Sequence, residues 1–159
     1  MKMQSKTKDK KLVNQFYFVL PSLSINESVS RAVTGAFCAQ MNPTIEELAD
    51  IKCSVSEAVT NCIVHAYRYA PGDIYITVSL YSNRSLRIVI RDKGVGIDDI
   101  KAARAPLFTT DTTGERSGMG FAVMESFMDK VKVLSHPGKG TKITLFKQLS
   151  DPSEAVKNQ

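Results

Sequence analysis

The chain has 159 residues, 43% of them apolar, which suits one domain with a buried core and excludes a disulfide mini-scaffold or a disordered chain. A formal charge of +5 and a pI near 9.1 favour, by themselves, a nucleic-acid or membrane-surface partner. However, five lysines and one aspartate among the first eleven residues carry +4 of that charge, and the other 148 residues carry only +1. The excess charge therefore belongs to a short tail.

The cysteines and the hydropathy pattern indicate the compartment. No stretch approaches the ~18 apolar residues of a membrane span, and no secretory signal is recognisable. Cys38, Cys53 and Cys62 are odd in number and lack metal-ligand spacing. If Cys53 and Cys62 share a helix, they lie roughly 13 Å apart, beyond the reach of a disulfide. We therefore predict a cytoplasmic protein whose cysteines are small core residues.

The chain begins with a predicted tail, a strand and a helix. Residues 1–13 are polar and lysine-rich, which predicts a disordered basic tail. Residues 15–20 have strand composition and precede a proline. From 26 to 41 apolar residues recur every four positions, which predicts an amphipathic helix. Glu27 and Arg31 lie one turn apart on its polar side.

A long helix and a hairpin are predicted next. Thr44 and Glu47 have the spacing of a capping box, in which each side chain satisfies a free amide of the first turn. An apolar stripe of helical period continues from there to about Tyr67. Two strands, at 74–81 and 86–91, follow a Pro-Gly break and are joined by a turn.

The second half of the chain completes an α+β pattern. It is predicted to contain a loop at 92–96, a short helix near 98–103, an aperiodic stretch at 104–117, a helix to about 128, and strands at 130–135 and 141–149. Long aperiodic stretches inside compact domains are commonly lids or binding loops. One domain at 14–150 with a polar tail at 151–159 is expected. The element order predicts a two-layer sandwich, with helices on one face of a mixed, mostly antiparallel sheet.

Three groups of residues have the chemistry of a binding site. Glu57, Asn61 and His65 recur every four residues on the long helix, so their side chains share a face. A carboxylate and a carboxamide one turn apart suit Mg²⁺, or a base poised beside it. The same pattern also fits a solvated polar stripe.

The second group is the loop with Asp92, Gly94 and Gly96, which directly follows a predicted strand. A carboxylate at that place can accept a hydrogen bond from an exocyclic amine, and glycines permit close backbone approach to a planar base. The third group is Gly118 and Gly120 at a helix start, where free amides and the helix dipole favour an anion. Arg116 can add a charged contact to a terminal phosphate.

In this order the motifs resemble those of a known superfamily. The segments 57–61, 92–96, 118–120 and 140–141 are similar to the N, G1, G2 and terminal Gly-Thr boxes of the GHKL ATPases and kinases. More closely, residues 26–28, 106–110 and 115–121 resemble the anti-sigma-F factor family of endospore-forming bacteria. The resemblance covers about residues 16 to 150 and implies the histidine-kinase-like ATPase fold.

The resemblance also implies roles for the residues of the long helix and of the base pocket. Glu57 would be the general base that takes the proton from a substrate serine, and Asn61 would hold Mg²⁺. His65 would contact a phosphate or water, or simply pack. Asp92 and Thr141 would read the adenine of ATP or ADP.

The remaining implied roles concern the pocket wall, the phosphates and the partners. Gly94 and Gly96 would shape the adenine pocket, Thr109 and Thr110 would lie in the ATP lid, Arg116 would reach the γ-phosphate, and Gly118 and Gly120 would cradle the phosphates. Glu27 and Arg31 would face a sigma factor. The implied protein is a homodimeric, Mg·ATP-dependent anti-sigma factor that holds sigma-F inactive and phosphorylates a serine of an anti-anti-sigma antagonist.

Three alternatives are also compatible with the sequence. A general-stress anti-sigma-B kinase would use the same chemistry on a different sigma factor. A nucleotide-gated binding module would transfer no phosphate, although such a protein has no need of a base at Glu57. Nucleic-acid binding through the basic tail would weaken steeply with salt.

Overall fold

The computed structural model describes residues 10–106 and 118–155. In chain order the elements are β1 (Leu12–Pro21), α1 (Ile25–Cys38), α2 (Ile45–Asn61), β2 (Asp73–Tyr81), β3 (Ser85–Arg91), α3 (Ile100–Arg104), α4 (Gly120–Phe127), β4 (Lys130–His136), β5 (Gly140–Gln148) and α5 (Pro152–Ala155). A 3-10 turn, Ala39–Met41, follows α1, and a π-helical turn, Cys62–Ala66, follows α2. In this part of the chain, no helix combines the length and the apolar character needed to cross a bilayer.

The predicted start of the long helix is confirmed. The Thr44 hydroxyl accepts from the Glu47 amide at 3.0 Å, and the Glu47 carboxylate accepts from the Thr44 amide at 2.9 Å. Two amides that the helix itself leaves without partners are thereby satisfied. The last predicted turn, up to Tyr67, is the π-helical one.

Within residues 10–106 and 118–155, the sheet has five strands in the order β1-β2-β3-β5-β4, and every neighbouring pair is antiparallel. The prediction of a mixed sheet is therefore wrong. Strands β3 and β4 do run parallel, as expected for a connection through helices α3 and α4. However, β5 returns from β4 by a tight turn and lies between them, so the parallel strands never pair.

Helices cover one face of this sheet, which confirms the two-layer α+β sandwich. Alternate residues of β2 are buried, as in a strand with one face on a core: Ile74, Ile76, Val78 and Leu80. Helix α2 packs on that face through Ile51, Val55 and Ala58, all fully buried. The opposite face of the sheet has exposed side chains, including Tyr17, Val19 and Leu134.

The prediction that the cysteines are core residues is right for two of them. Cys38 and Cys62 are buried, but Cys53 is exposed. Helix α2 turns about 100° per residue, so a side chain two positions beyond buried Ile51 lies on the outer face.

Both predicted tails contain some regular structure. Strand β1 begins at Leu12, which pairs with Tyr81, so the end of the tail predicted at 1–13 belongs to the sheet. Disorder stays a prediction for the residues before 10, which lie outside the described part. At the other end, the tail predicted at 151–159 begins with the short helix α5.

Candidate functional site

A cavity of about 430 Å³ lies between helix α2, the loop after β3, helix α3, the start of α4 and the start of β5. This volume is within the usual range for small-molecule sites. Eight of the predicted site residues line it: Glu57, Asn61, His65, Asp92, Gly96, Gly118, Gly120 and Thr141. Thr109, Thr110 and Arg116 lie outside the described residues.

Glu57 and Asn61 face the beginning of helix α4. A Cβ atom added to Gly120 would lie 3.1 Å from Oε2 of Glu57 and 3.3 Å from Oδ1 of Asn61. Because α4 begins at Gly120, the carboxylate, the carboxamide oxygen and the first amides of α4 meet at one end of the cavity. Asn61 provides an oxygen of the kind that Mg²⁺ accepts, and Mg²⁺ is often bound by one or two protein oxygens together with phosphates and waters.

The start of helix α4 is suited to an anion. Its N-cap residue, Met119, makes no side-chain hydrogen bond to the first turn. The first amides of the helix are therefore not capped by the residue that precedes them, and Gly118 and Gly120 line the cavity at this point. Such amides and the helix dipole favour phosphate.

Asp92 is a buried acceptor at the other end of the cavity. It is 4% exposed, and its Oδ1 accepts from the amides of Gly94 at 2.9 Å and Thr141 at 3.1 Å. Its Oδ2 accepts from the thiol of Cys62, with an S···O distance of 3.6 Å. Burial raises the pKa of Asp92, against the opposing effect of these hydrogen bonds. The carboxylate therefore has well-defined geometry, and Oδ2 keeps capacity for a ligand donor.

The two glycines after Asp92 approach other backbone segments. A Cβ on Gly94 would lie 2.3 Å from the carbonyl oxygen of Ala66, and one on Gly96 would lie 2.2 Å from that of His136. Gly96 also has a φ of +75°, which disfavours any residue with a side chain. These glycines thus allow the loop to pack against the end of the long helix and the turn after β4, and only Gly96 lines the cavity.

Replacing Gly96 with alanine is expected to lower the free energy of unfolding by about 3 kcal/mol or more, since strain at positive φ adds to a clash with backbone. Gly138→Ala is the matched control, because Gly138 has a similar φ of +73° but open space around it. It should cost only about 1 kcal/mol. Urea unfolding measures both, and equal losses would show that the contact with His136 carries no strain.

Three residues at or beside the cavity were not singled out from the sequence for the roles they have here. Cys62 was expected only to fill the core, yet its thiol donates to Asp92. Burial, reinforced by that carboxylate, raises the pKa of Cys62, so it stays protonated. Arg68 lines the cavity, and Ser135 lies 2.7 Å from the Thr141 hydroxyl, Oγ to Oγ1. The contact of Cys62 with Asp92 joins residues 30 positions apart, so no local spacing could reveal it, whereas Ser135 and Thr141 are cross-strand neighbours in the β4–β5 hairpin.

Glu27 and Arg31 lie away from this cavity, on helix α1. Arg31 lines a groove of about 610 Å³ between α1 and α2, together with Lys52 and Cys53. Glu27 accepts a hydrogen bond from Ser56, the neighbour of Glu57, and lies 3.9 Å from the Arg31 guanidinium. The Glu27 carboxylate therefore links α1 to α2, whereas Arg31 is the more exposed of the pair.

Comparison with known proteins identifies the fold and the relatives. Residues 21–147 match the family model of the histidine kinase-like ATPase domain. By structure, the chain is similar to the crystal structure of the RsbU and RsbW domains of a Mycobacterium tuberculosis protein, with a TM-score of 0.64 at 20% identity, over 88% of this chain and 33% of that one. It is also similar to the histidine kinase domain of a blue-light activated kinase from Erythrobacter litoralis, with a TM-score of 0.55 at 20% identity, over 81% and 65%.

Relatives in sequence are much closer. The anti-sigma F factor of Shouchella clausii is 49% identical over 140 residues, which are 87% of this chain and 95% of that protein. The anti-sigma F factor of Caldanaerobacter subterraneus is 52% identical over 128 residues, 80% of this chain and 89% of the other. With such identity over most of both chains, this chain belongs to the histidine kinase-like ATPase family and, within it, to the anti-sigma F factors.

Proposed function

We propose that the protein is a serine-protein kinase and anti-sigma factor, which binds sigma-F and uses Mg·ATP to phosphorylate an anti-anti-sigma antagonist. The observation that carries this proposal is the meeting of Glu57 and Asn61 with the start of α4, in the same cavity as the buried acceptor Asp92. Phosphoryl transfer from a nucleotide needs a general base, an oxygen that binds the metal and a site for the phosphates. A carboxylate that recognises the adenine then holds the nucleotide in place. The names of the relatives supply the partner.

The nucleotide would lie with its base at Asp92 and its phosphates at α4. Asp92 would accept from the 6-amino group of adenine, beside the hydroxyl of Thr141. Gly118, Gly120 and the amides of α4 would hold the phosphates, with His65 contacting a phosphate or a water. Arg116 would reach the γ-phosphate, and Thr109 and Thr110 would belong to the lid that covers it.

Transfer would need positioning and charge neutralisation more than covalent chemistry from the protein. Asn61 would hold Mg²⁺, which supplies positive charge to the phosphates when bound. Glu57 would accept the proton of the substrate serine as its oxygen attacks the γ-phosphorus. The phosphoryl group then joins that oxygen and ADP leaves.

Incubation with the antagonist, Mg²⁺ and labelled ATP tests the kinase assignment. Phosphoserine should form on the antagonist, and phosphoamino-acid analysis identifies the residue. Wild-type protein that binds ADP but labels no serine would instead be a nucleotide-gated binding module.

Replacement of Arg31 with alanine is expected to weaken sigma-F binding by about 10-fold or more, because arginines on partner surfaces are often major contributors to affinity. Loss of its exposed pairing with Glu27 should hardly affect stability. Surface plasmon resonance with immobilised sigma-F measures the effect, with Lys139→Ala, a change at the exposed turn after β4, as the control. Unchanged sigma-F affinity together with unchanged ADP binding would remove Arg31 from the interface.

We also propose a homodimer, formed through the sheet face that the helices leave open. Tyr17 and Val19, two positions apart on edge strand β1, expose 57% and 40% of their surface there and form an adjacent apolar pair that a second protomer would cover. Sedimentation velocity of the wild type and of Tyr17→Asp tests this, since the charge should shift a dimer towards monomer. Monomeric wild type at tens of micromolar would contradict the proposal.

A further inference from the structure

Ser135 lies on β4, where it joins two walls of the cavity. Its Oγ accepts from the amide of Ile97 at 2.8 Å, in the loop after β3. The same oxygen lies 2.7 Å from Oγ1 of Thr141 and 3.1 Å from the carbonyl oxygen of Gly140, at the start of β5. Ile97 and Thr141 both line the cavity, whereas Ser135 is not among its lining residues. Ser135 therefore connects the two from outside the cavity.

A serine hydroxyl has one proton to give, and two acceptors lie within reach of it. Thr141 Oγ1 is the nearer of the two. If Ser135 donates to Thr141, a lone pair of the threonine oxygen is occupied, and the threonine proton is available to a ligand. Thr141 is only 7% exposed, so few waters compete for that proton.

We propose that Ser135 is a positioning residue for nucleotide selection, which holds the Thr141 hydroxyl as a hydrogen-bond donor towards the base. This rests on the proposed adenine site. Asp92 then presents an acceptor to the base, and Thr141 presents a donor. The two residues are held side by side because Oδ1 of Asp92 accepts a hydrogen bond from the Thr141 amide at 3.1 Å.

That pairing of an acceptor with a donor matches only one type of purine edge. A 6-aminopurine offers an amine donor at N6 beside an acceptor at N1, which complements Asp92 and Thr141. A 6-oxopurine offers an acceptor at O6 beside a donor at N1, so both contacts would be mismatched. Buried polar groups that a ligand leaves without partners give strong rejection.

Isothermal titration with ADP and GDP tests the role of Ser135. Ser135→Ala is expected to weaken ADP binding about 10-fold and GDP binding less than about 2-fold, so that the preference for adenine falls. Ser135→Thr keeps the hydroxyl on a strand residue and should retain the wild-type preference. If Ser135→Ala weakens ADP and GDP by the same factor, or if Ser135→Thr fails to restore the preference, the residue only supports the fold and the proposal is overturned.

An adenine analogue distinguishes an effect of the hydrogen bond from Ser135 to the Thr141 hydroxyl from a general effect of Ser135 on packing. In 1-deaza-ADP the N1 acceptor is replaced by CH, so Ser135→Ala should not weaken its binding further. Similarly, Ser135→Ala added to Thr141→Val should cost less than about 2-fold, because the two residues act as a unit. Additive losses of ADP affinity in the double variant would contradict the proposal that Ser135 acts through Thr141. Wild-type protein that binds no ADP would overturn the proposed function itself, whereas normal ADP binding with an unaffected Ser135→Ala overturns only this inference.

Discussion

Replacement of Glu57 with glutamine is expected to slow phosphate transfer to serine by about 10²- to 10⁴-fold, the usual contribution of a general base. Glutamine has nearly the same shape as glutamate but cannot take the serine proton. ADP affinity should change little, since the base-reading carboxylate Asp92 is untouched. Single-turnover labelling of the antagonist, together with titration of ADP, measures both effects.

The matched control is Glu46→Gln, which makes the same change about three turns earlier on α2, at an exposed position in its first turn. It should leave both the transfer rate and ADP affinity at the wild-type level. Equal labelling by wild type and Glu57→Gln would remove the base assignment. Loss of ADP binding as well as transfer would instead place Glu57 in nucleotide binding.

Asp92→Asn is expected to weaken ADP binding by about 100-fold, as for loss of a hydrogen bond to a charged group, without destabilising the protein. The asparagine oxygen can still accept from the amides of Gly94 and Thr141. Its amide nitrogen would replace Oδ2, so a donor would meet the donor amine of adenine. The long hydrogen bond from the Cys62 thiol, at 3.6 Å, would also be lost, a small effect beside removal of a buried charge. Titration of ADP and thermal unfolding without nucleotide give the two readouts.

The expected stability follows from the titration of Asp92. Burial raises its pKa in the folded protein, so the folded state holds this proton more tightly than the unfolded state does. Its contribution to stability is full below the ordinary pKa of an aspartate and is lost as the pH rises through the raised value. At neutral pH the charge therefore costs stability, and Asp92→Asn should unfold at the same temperature as the wild type or a higher one.

The same shift predicts a pH dependence of binding. As the pH is lowered, ADP affinity should begin to fall at a higher pH than it would if Asp92 had the ordinary pKa of an aspartate. The reason is that protonated Asp92 no longer offers a free acceptor. Asp73→Asn, at an exposed position of β2, is the matched control for both measurements. A destabilised Asp92→Asn with normal ADP affinity would show that the carboxylate serves the fold and not the base.

Much of the fold was predictable from local patterns. The capping box of Thr44 and Glu47 involves residues three apart, so it forms wherever the helix begins. The strands at 130–135 and 141–149 were predicted from alternation, which depends only on which face is buried, and the first strand was predicted from its composition. The position of β5 between β3 and β4 was not predictable, because it depends on which partner the returning strand finds.

The sequence by itself determined the helical spacing of Glu57 and Asn61, the acidic loop after β3 and the glycines at the start of α4, since each pattern lies within one turn or one loop. Only the tertiary structure decided which distant groups complete the site. The thiol of Cys62 reaches Asp92, 30 positions later, and Ser135 reaches the amide of Ile97, 38 positions earlier. Contacts between separate strands and loops depend on sheet order and packing. The orientation of the base-reading groups therefore comes from the assembled fold, whereas their chemical identity is already present in the sequence.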